Sequence, residues 1–438
     1  MARSWRGWYR AGAVDNITHS LAGAAFAELA VRVRARRSPD ENVPALRGAL
    51  WLSSMLASNA PDLDIVLSPA IRAPLGYMLH HRGYTHTVLL APLLAALAVA
   101  LAWPWARGRG GLPRSAIGLA FAVATAMVFL HVAMDFGNSY GVHPFWPFAS
   151  RWYFGDSIFI VEPLLWAVLA VPLAFAVETR FARFTLGGIA ALGLVLSATV
   201  PLVTHIGLAL TVIVTALMAL AARNVGAIAR PLIAVLGLVV VEATFFAVHI
   251  EAEIHARGTF AAAFPRATPL DVVMSPSPSN PLCWSALAIG IDGEDLVERR
   301  MGISLAGEIQ HVDDCRFTPP AATTATRTPI ARSSTESVLF FDEVRTPLAL
   351  FWDLAATSED TAAFLRFSRA PYLLEREGEP TIAGDVRFDR EAGLGFGELE
   401  VHRDTPLEGW VPTWEPPRID AIDPARTPAH RVHDIVTE

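Results

Sequence analysis

A histidine and an aspartate lie four residues apart at the end of one long apolar segment, in the sequence HVAMD. On a helix, His131 and Asp135 share one face and lie close enough to bind a single ion or to form a simple hydrogen bond. Imidazole and carboxylate together suit Zn²⁺, Mn²⁺ or Fe²⁺ better than Ca²⁺. The pair is weak evidence by itself, but other sequences rich in His and Asp also lie at the ends of apolar segments.

Two of these sequences come earlier in the chain, THSLAG and NAPDLD. THSLAG begins the first apolar segment, and its His19 is either a metal ligand or part of a helix cap. NAPDLD places Asp62 and Asp64 just after a proline, where irregular backbone lets carboxylates converge. An ordinary charged loop is the alternative for these two residues. We predict all three side chains as candidate metal ligands.

A histidine-rich sequence, HHRGYTH, directly precedes the next predicted membrane helix. His81 and His86 lie on either side of a glycine that permits a sharp bend, and we predict both as ligands. Arg82 has two interpretations. Its planar guanidinium could clamp a phosphate or carboxylate, or it could form a structural ion pair with Asp62 or Asp64.

The apolar composition requires that part of the chain lies in lipid. The 438 residues are 53% hydrophobic with a mean hydropathy of +0.39, which exceeds the values of ordinary soluble proteins. About 20 helical residues cross the hydrocarbon core. Long apolar stretches therefore predict crossings at 16–33, 43–59, 86–105, 115–135, 158–177, 185–202, 205–222 and 231–250. The longest apolar run, 185–222, exceeds a single crossing and is predicted to be divided by a turn at Pro201.

If each segment crosses once, all the candidate ligands fall on the same face of the membrane. Charges at a membrane edge are costly unless they have partners, so a shared site is predicted. Most arginines of the first half fall on the opposite face, which predicts that this face is cytoplasmic. Arg3, Arg6 and Arg10 go against this orientation. The site and the C-terminal region would then be extracytoplasmic.

The composition becomes polar after Glu253. We predict an all-α polytopic membrane domain of about eight helices over 1–255, a Pro/Ser-rich linker over 256–282 and a small α+β extramembrane domain over 283–414. The tail, 415–438, has few apolar residues and is predicted to be disordered. WSALAIGIDGEDLVERR predicts two strands around an Asp-Gly turn.

Two cysteines and the charge balance narrow the chemistry further. Cys283 and Cys315 are the only cysteines, which excludes a CxxC site and leaves one disulfide possible. The net charge is −7 and every basic residue other than histidine is arginine, which we interpret as coding bias. No nucleic-acid partner is predicted.

The ordered set THSLAG, NAPDLD, HHRGYTHT and HVAMDFGNSYG closely resembles the YdjM/YfhP-like family of bacterial inner-membrane proteins, described as predicted metal-dependent hydrolases. The resemblance covers residues 14–165 and, through SPSPSNPLCW, FLRFSRAP and GDVRF, extends to about residue 390. It implies a multi-pass protein of the bacterial cytoplasmic membrane with a bound divalent metal. The order of His and Asp is also similar to that of zinc phospholipase C and P1-type nucleases. That likeness implies zinc, phosphoesterase-like chemistry and ligands among His19, Asp62, Asp64, His81, His86, His131 and Asp135.

These observations predict a metal-dependent hydrolase acting on an ester or phosphoester of a lipid or lipid-linked substrate. The cofactor would be one or two divalent ions, most readily zinc, with Mn or Fe as alternatives. Asp62 or Asp64, whichever is not a ligand, would accept the proton of water, and Arg82 would steady negative charge on the substrate. A metal or proton transporter, and a non-catalytic scaffold stabilised by metal, are the alternatives.

Overall fold

The first part of the chain folds into α-helices. The fold is that of a computed structural model, which describes residues 15–38, 42–109, 111, 113–316, 323–403 and 406–427. The helices are α1 (Asp15–Arg37), α2 (Val43–Ala57), α3 (Leu75–His80), α4 (Ala91–Arg107), α5 (Arg114–Phe136), α6 (Pro163–Ala176), α7 (Arg180–Thr199), α8 (His205–Asn224) and α9 (Ala229–Ala263). A 3-10 helix, Pro61–Ala70, lies between α2 and α3. Each predicted crossing overlaps one of the helices, and the all-α membrane region is confirmed.

Several helices have the length and composition of membrane spans. Among the described residues, α5, α7, α8 and α9 are long and apolar enough to cross a bilayer. The 23 residues of α5 extend about 34 Å, slightly more than the hydrocarbon core of about 30 Å. The 35 residues of α9 extend about 52 Å, so its C-terminal part projects beyond the bilayer.

The predicted turn within the longest apolar run is confirmed. Helix α7 ends at Thr199, and α8 begins at His205. Pro201 lies in this turn, where its missing N–H breaks no helical hydrogen bond. The hydroxyl of Thr204 caps α8 by accepting a hydrogen bond from the Gly207 N–H at 3.0 Å.

The second part of the chain is a small domain of helices and antiparallel sheets, as predicted. Its strands are β1 (Thr268–Ser277), β2 (Asn280–Asp292), β3 (Asp295–Ser304), β4 (Thr328–Pro329), β5 (Val338–Pro347), β6 (Pro371–Leu374), β7 (Ile382–Asp385) and β8 (Glu398–Glu400). One sheet has the order β1-β2-β3-β5-β4 and the other β6-β7-β8. The helices are α10 (Leu348–Thr357), α11 (Glu359–Phe364) and α12 (Ile419–Ile422). The predicted strand pair is β2–β3, in which Asp292 pairs with Asp295.

The predicted Pro/Ser-rich linker over 256–282 is wrong. Helix α9 continues to Ala263 and β1 begins at Thr268, so only a short connection separates them. Strand β1 is at the edge of its sheet, and the pairing with β2 is irregular beside Pro269 and Pro276. Prolines are tolerated at such edge positions and bulges, which is why the composition resembled that of a linker.

The predicted disordered tail is also wrong over its described part. Ala421 of α12 is fully buried, and its carbonyl accepts a hydrogen bond from the Trp352 indole at 3.1 Å. The side chain of Thr427 is buried as well. A few contacts to a core formed elsewhere therefore order a segment that lacks enough apolar residues to form its own core. Residues 428–438 lie outside the described part of the chain.

A disulfide closes part of the C-terminal domain. Cys283 on β2 is bonded to Cys315, which ends a short 3-10 helix, Val312–Cys315. Structural disulfides persist in oxidising compartments and are rare in the cytosol. The bond therefore favours an extracytoplasmic C-terminal domain.

Buried polar contacts attach this domain to the loops at one end of the helices. The Glu162 carboxylate, at the N-terminus of α6, accepts hydrogen bonds from the backbone and hydroxyl of Ser279. Asn280 donates to the Thr204 hydroxyl at 2.8 Å. The domain consequently lies on the side of the membrane where α5 and α9 end.

Candidate metal centre

Four side chains from separate parts of the chain bring their donor atoms together. Each of Asp62, His86, His131 and Asp135 offers one atom, and these atoms all lie within 4.8 Å of one another. We call these residues the donor group. His131 and Asp135 lie in the last turns of α5, Asp62 at the start of the 3-10 helix and His86 in the loop before α4.

The spacing of the donor atoms matches that of ligands around one small cation. The His86 Nε2 atom lies 3.0 Å from Asp135 Oδ2 and 3.2 Å from His131 Nε2. His131 Nε2 lies 3.2 Å from Asp135 Oδ2, and Asp62 Oδ1 lies 3.5 Å from both imidazoles. Tetrahedral ligands with bonds of about 2.0 Å are about 3.3 Å apart. The residues therefore fit a divalent ion.

Hydrogen bonds on the far side of each imidazole orient its other nitrogen toward the donor group. The His86 Nδ1–H donates to Asp64 Oδ2 at 3.0 Å, and the His131 Nδ1–H donates to the Ser58 carbonyl at 2.7 Å. With an ion bound, each imidazole would be neutral and would present its lone pair on Nε2. Two such lone pairs, facing each other and two carboxylates, suit a cation. Hydrogen bonds from the other ring nitrogen, such as those from Nδ1–H to Asp64 and to the Ser58 carbonyl, are typical of metal-ligating histidines.

The neighbouring Asp64 lies behind His86 and outside the donor group. Its carboxylate accepts hydrogen bonds from His86, from the His81 Nδ1–H at 3.1 Å and from the Thr85 hydroxyl at 2.9 Å. Burial by itself would raise the pKa of Asp64, but the charge of His86 and the hydrogen bonds from both histidines outweigh it and lower the pKa below the ordinary value. Asp64 is thus a carboxylate placed to position His86.

The pKa of Asp62 is lowered too. Burial raises it, whereas hydrogen bonds from His131 and His86 lower it by more. Asp62 is the most accessible member of the donor group, with 14% of its side chain exposed, whereas the other members are buried. The donor group is therefore least buried at Asp62, and we call this its open side.

Arg82 forms an ion pair, but with a different partner from those considered in the sequence. Its Nη2 atom lies 2.9 Å from Asp135 Oδ1, and its Nη1 atom donates to Asn138 Oδ1 at 2.7 Å. The predicted alternative of a pair with Asp62 or Asp64 is wrong, because the loop turns the guanidinium toward the end of α5. Arg82 has a φ of 61°, a left-handed conformation that non-glycine residues adopt at a cost.

The remaining predicted ligands lie next to the donor group. The His19 ring packs against that of His131 with centroids 3.9 Å apart, and its Nε2 atom lies 3.4 Å from Asp135 Oδ1. His81 contacts Asp64 instead. The prediction that these motifs meet at one place agrees with this geometry, while their roles as ligands stay predictions.

Two supporting groups were missed in the sequence. Asn138 lies three residues after Asp135 in HVAMDFGNSYG, so its motif was recognised but its role was not. The Ser58 carbonyl carries no side-chain signal. Backbone acceptors of this kind become visible only in three dimensions.

The C-terminal segment 409–415 lies against the loop that holds Arg82 and His86. The Trp414 indole donates to the Leu79 carbonyl at 2.7 Å, and His80 Nε2 lies 3.0 Å from the Trp410 carbonyl. The Trp410 ring stacks on that of Tyr84 at 4.8 Å. The C-terminal segment therefore packs against the loop that carries His86 of the donor group.

The fold and the donor group define a class: a polytopic α-helical membrane protein with a candidate metal centre at one end of its helices. Residues 14–206 match the family model of the YdjM inner membrane protein, a span that contains the whole donor group. The resemblance to this family is confirmed over these residues, and the protein is an inner-membrane protein.

One curated relative is similar over a shorter stretch. The uncharacterized protein YfhP of Bacillus subtilis (strain 168) is 27% identical over 139 residues, which is 32% of this chain. The match spans 39% of that relative's length. No solved structure matches the chain.

The supporting role of Asp64 can be tested by metal affinity. We expect Asp64→Ala to weaken Zn²⁺ binding about 10- to 100-fold, because His86 loses the acceptor that orients it. Competition with a chromogenic chelator measures the affinity, and the bound stoichiometry should be unchanged. Asp353→Ala, at an exposed carboxylate of α10, is the control. Unaltered affinity in Asp64→Ala would show that His86 needs no such support.

Proposed function

We propose that this protein is a membrane-bound metal-dependent hydrolase that cleaves an ester or phosphoester of a lipid or lipid-linked substrate. The observation that carries the proposal is the asymmetry of the donor group. Three of its members are buried, and the fourth, Asp62, is partly exposed on the open side. With His86, His131 and Asp135 as the ligands and Asp62 not bound to the ion, one coordination position would stay open, as in catalytic metal sites.

Each residue has a distinct part in this proposal. His86, His131 and Asp135 would hold the cation, most readily zinc, with Mn or Fe as alternatives. A bound divalent ion supplies a Lewis acid that polarises the ester and acidifies water. Asp62 would accept the proton of the attacking water, since its carboxylate is the partly exposed oxygen donor and lies 3.5 Å from both imidazoles.

Arg82 is better suited to positioning than to gripping the substrate. Its guanidinium is buried and bound to Asp135 and Asn138. We therefore propose that it holds Asp135 in place and adds a nearby positive charge that favours an anionic substrate.

The placement of the site supports a reaction at the outer face of the membrane. The donor group, the disulfide-bonded domain and the end of α5 lie at one end of the helices. Arginines such as Arg107, Arg114 and Arg180 lie at the opposite helix ends, which the positive-inside rule assigns to the cytoplasm.

The alternatives have less support. A transport path would need ionisable groups through the bilayer. Glu28 of α1 lies about 14 Å along the helix from His19, and its carboxylate is bound by Arg32, Arg47 and Trp51. That arrangement is typical of a structural anchor. A purely structural metal would favour a closed shell, whereas Asp62 is accessible.

The decisive experiment compares wild type with Asp62→Asn. Purified wild-type protein in mixed micelles should hydrolyse some member of a panel of phospholipid and carboxylester substrates, lose activity to a chelator and regain it with Zn²⁺ or Mn²⁺. We expect Asp62→Asn to retain bound metal but to lose turnover about 100-fold or more, because the amide cannot accept the proton.

Asp353→Asn, at an exposed carboxylate, serves as the matched control and should be fully active. Full activity of Asp62→Asn would show that Asp62 is not the proton acceptor. A wild-type protein that binds Zn²⁺ but cleaves no ester of the panel would instead favour the scaffold.

A further inference from the structure

Large apolar side chains are exposed on the loops that surround the donor group. We call them the apolar rim. Its members and their exposed fractions are Leu63 (49%), Val66 (73%), Val88 (47%), Leu89 (55%), Phe145 (50%) and Phe148 (86%). They lie at the same end of the helices as the donor group. Exposure of large apolar side chains to water is unfavourable, and exposed apolar patches often mark sites of interaction with membranes or proteins.

Hydrogen bonds show that the three loops are adjacent. The Thr85 hydroxyl donates to Asp64, joining the loop before α4 to the 3-10 helix. The Val88 N–H donates to the Pro144 carbonyl at 2.9 Å, joining the same loop to the one that follows α5. The rim side chains therefore come from three adjacent segments of the chain.

The rim reaches the open side of the centre. Residues three apart in a 3-10 helix lie on the same side, so Leu63 and Val66 project together. Leu63 directly follows Asp62, the accessible carboxylate of the donor group. An apolar surface thus begins next to the place where a substrate would enter.

The rim continues along the chain into the exposed surface of the apolar helix α4. Leu89, Leu93, Leu97 and Leu101 are spaced by four residues and are all exposed. Leu93, Leu97 and Leu101 form a stripe along α4 about 12 Å long, and Leu89 lies in the turn that precedes the helix. In a multi-pass protein an exposed leucine stripe of this kind favours contact with hydrocarbon, and the rim is continuous with it in the chain.

We propose that the apolar rim inserts into the outer leaflet and that the donor group opens sideways to lipid. The substrate would be an amphiphile that remains in the leaflet, with its acyl chains against the rim and its ester or phosphoester at Asp62. The substrate part of this inference rests on the proposed function, whereas the insertion of the rim does not.

Spin labels test the insertion directly. Both native cysteines are in the disulfide, so an introduced cysteine provides the reactive thiol. Labels at Val66→Cys, Leu89→Cys and Phe148→Cys are compared, in the full chain in phosphatidylcholine–phosphatidylglycerol vesicles, with a reference at Leu217→Cys, which is exposed near the middle of the candidate span α8. Glu377→Cys, in the exposed polar turn between β6 and β7, is the aqueous control.

We expect oxygen to relax the rim labels more than a water-soluble nickel chelate does, as at Leu217, and the reverse at Glu377. Rim labels that behave like the Glu377 label would overturn the insertion.

A second measurement tests the substrate class. Phe148→Glu should lower the turnover of a long-chain substrate in vesicles about 10-fold or more, since it places a charge in the leaflet. Turnover of a short-chain, water-soluble analogue and the content of Zn²⁺ should not change. Equal loss on both substrates would overturn the amphiphile assignment. If wild type cleaves neither substrate, the hydrolase proposal fails while the label data still decide the insertion.

Discussion

Replacing Asp135 with alanine is expected to abolish stoichiometric metal binding and all turnover that depends on it. The carboxylate serves two partners, since Oδ2 faces His86 and His131 while Oδ1 pairs with Arg82. Alanine removes a ligand together with the carboxylate that pairs with the buried Arg82 guanidinium at 2.9 Å. Loss of an outer partner typically costs 10- to 100-fold in affinity, so loss of this direct ligand should exceed about 100-fold.

The measurement is elemental analysis of the purified full-length protein, followed by Zn²⁺ titration against a competing chelator. His249→Ala is a suitable control, because His249 is a buried histidine on α9 that lies outside the donor group. It should bind Zn²⁺ like wild type. If Asp135→Ala binds one Zn²⁺ with native affinity, the ion does not occupy the donor group.

Replacing Arg369 with methionine is expected to destabilise the protein by about 3–5 kcal/mol, the usual cost of breaking a buried ion pair. The guanidinium joins the two parts of the chain, with Nη1 at 2.7 Å from Asp156 and Nε at 2.7 Å from Asp271. Burial alone would raise the pKa of Asp271, but the charge of Arg369 outweighs it and lowers the pKa. Without Arg369, the carboxylate of Asp156 remains buried and uncompensated.

Denaturant unfolding in detergent, followed by tryptophan fluorescence, measures this loss. Arg403→Met is the control, because Arg403 pairs with Asp353 and Glu375 at the surface and should cost less than about 1 kcal/mol. Adding Asp156→Asn to Arg369→Met should recover part of the stability, since it removes the uncompensated charge. Equal stability of the two single variants would mean that the buried pair does not hold the domains together.

Local patterns were sufficient to predict the helices and the side on which the candidate ligands meet. The lengths of the apolar stretches indicated the crossings. His19 lies at the start of the first predicted crossing and Asp135 at the end of the fourth, which predicts that both are on the same face of the membrane. In the structure, both lie at the same end of the helices. Amino-acid composition gave a wrong prediction where contacts between distant segments decide the structure. The prolines of β1 predicted a linker, but the segment is an edge strand, where prolines are tolerated.

The amino-acid sequence alone therefore established a multi-pass helical region, a polar α+β domain and a cluster of His and Asp at one membrane face. Hydropathy and helical spacing are local properties, and they suffice for this. Only the folded chain distinguishes Asp62, whose oxygen faces both imidazoles, from Asp64 two residues later, which supports His86 from behind. The reason is geometric: a metal centre needs donor atoms within a few ångströms, and packing between remote segments sets those distances.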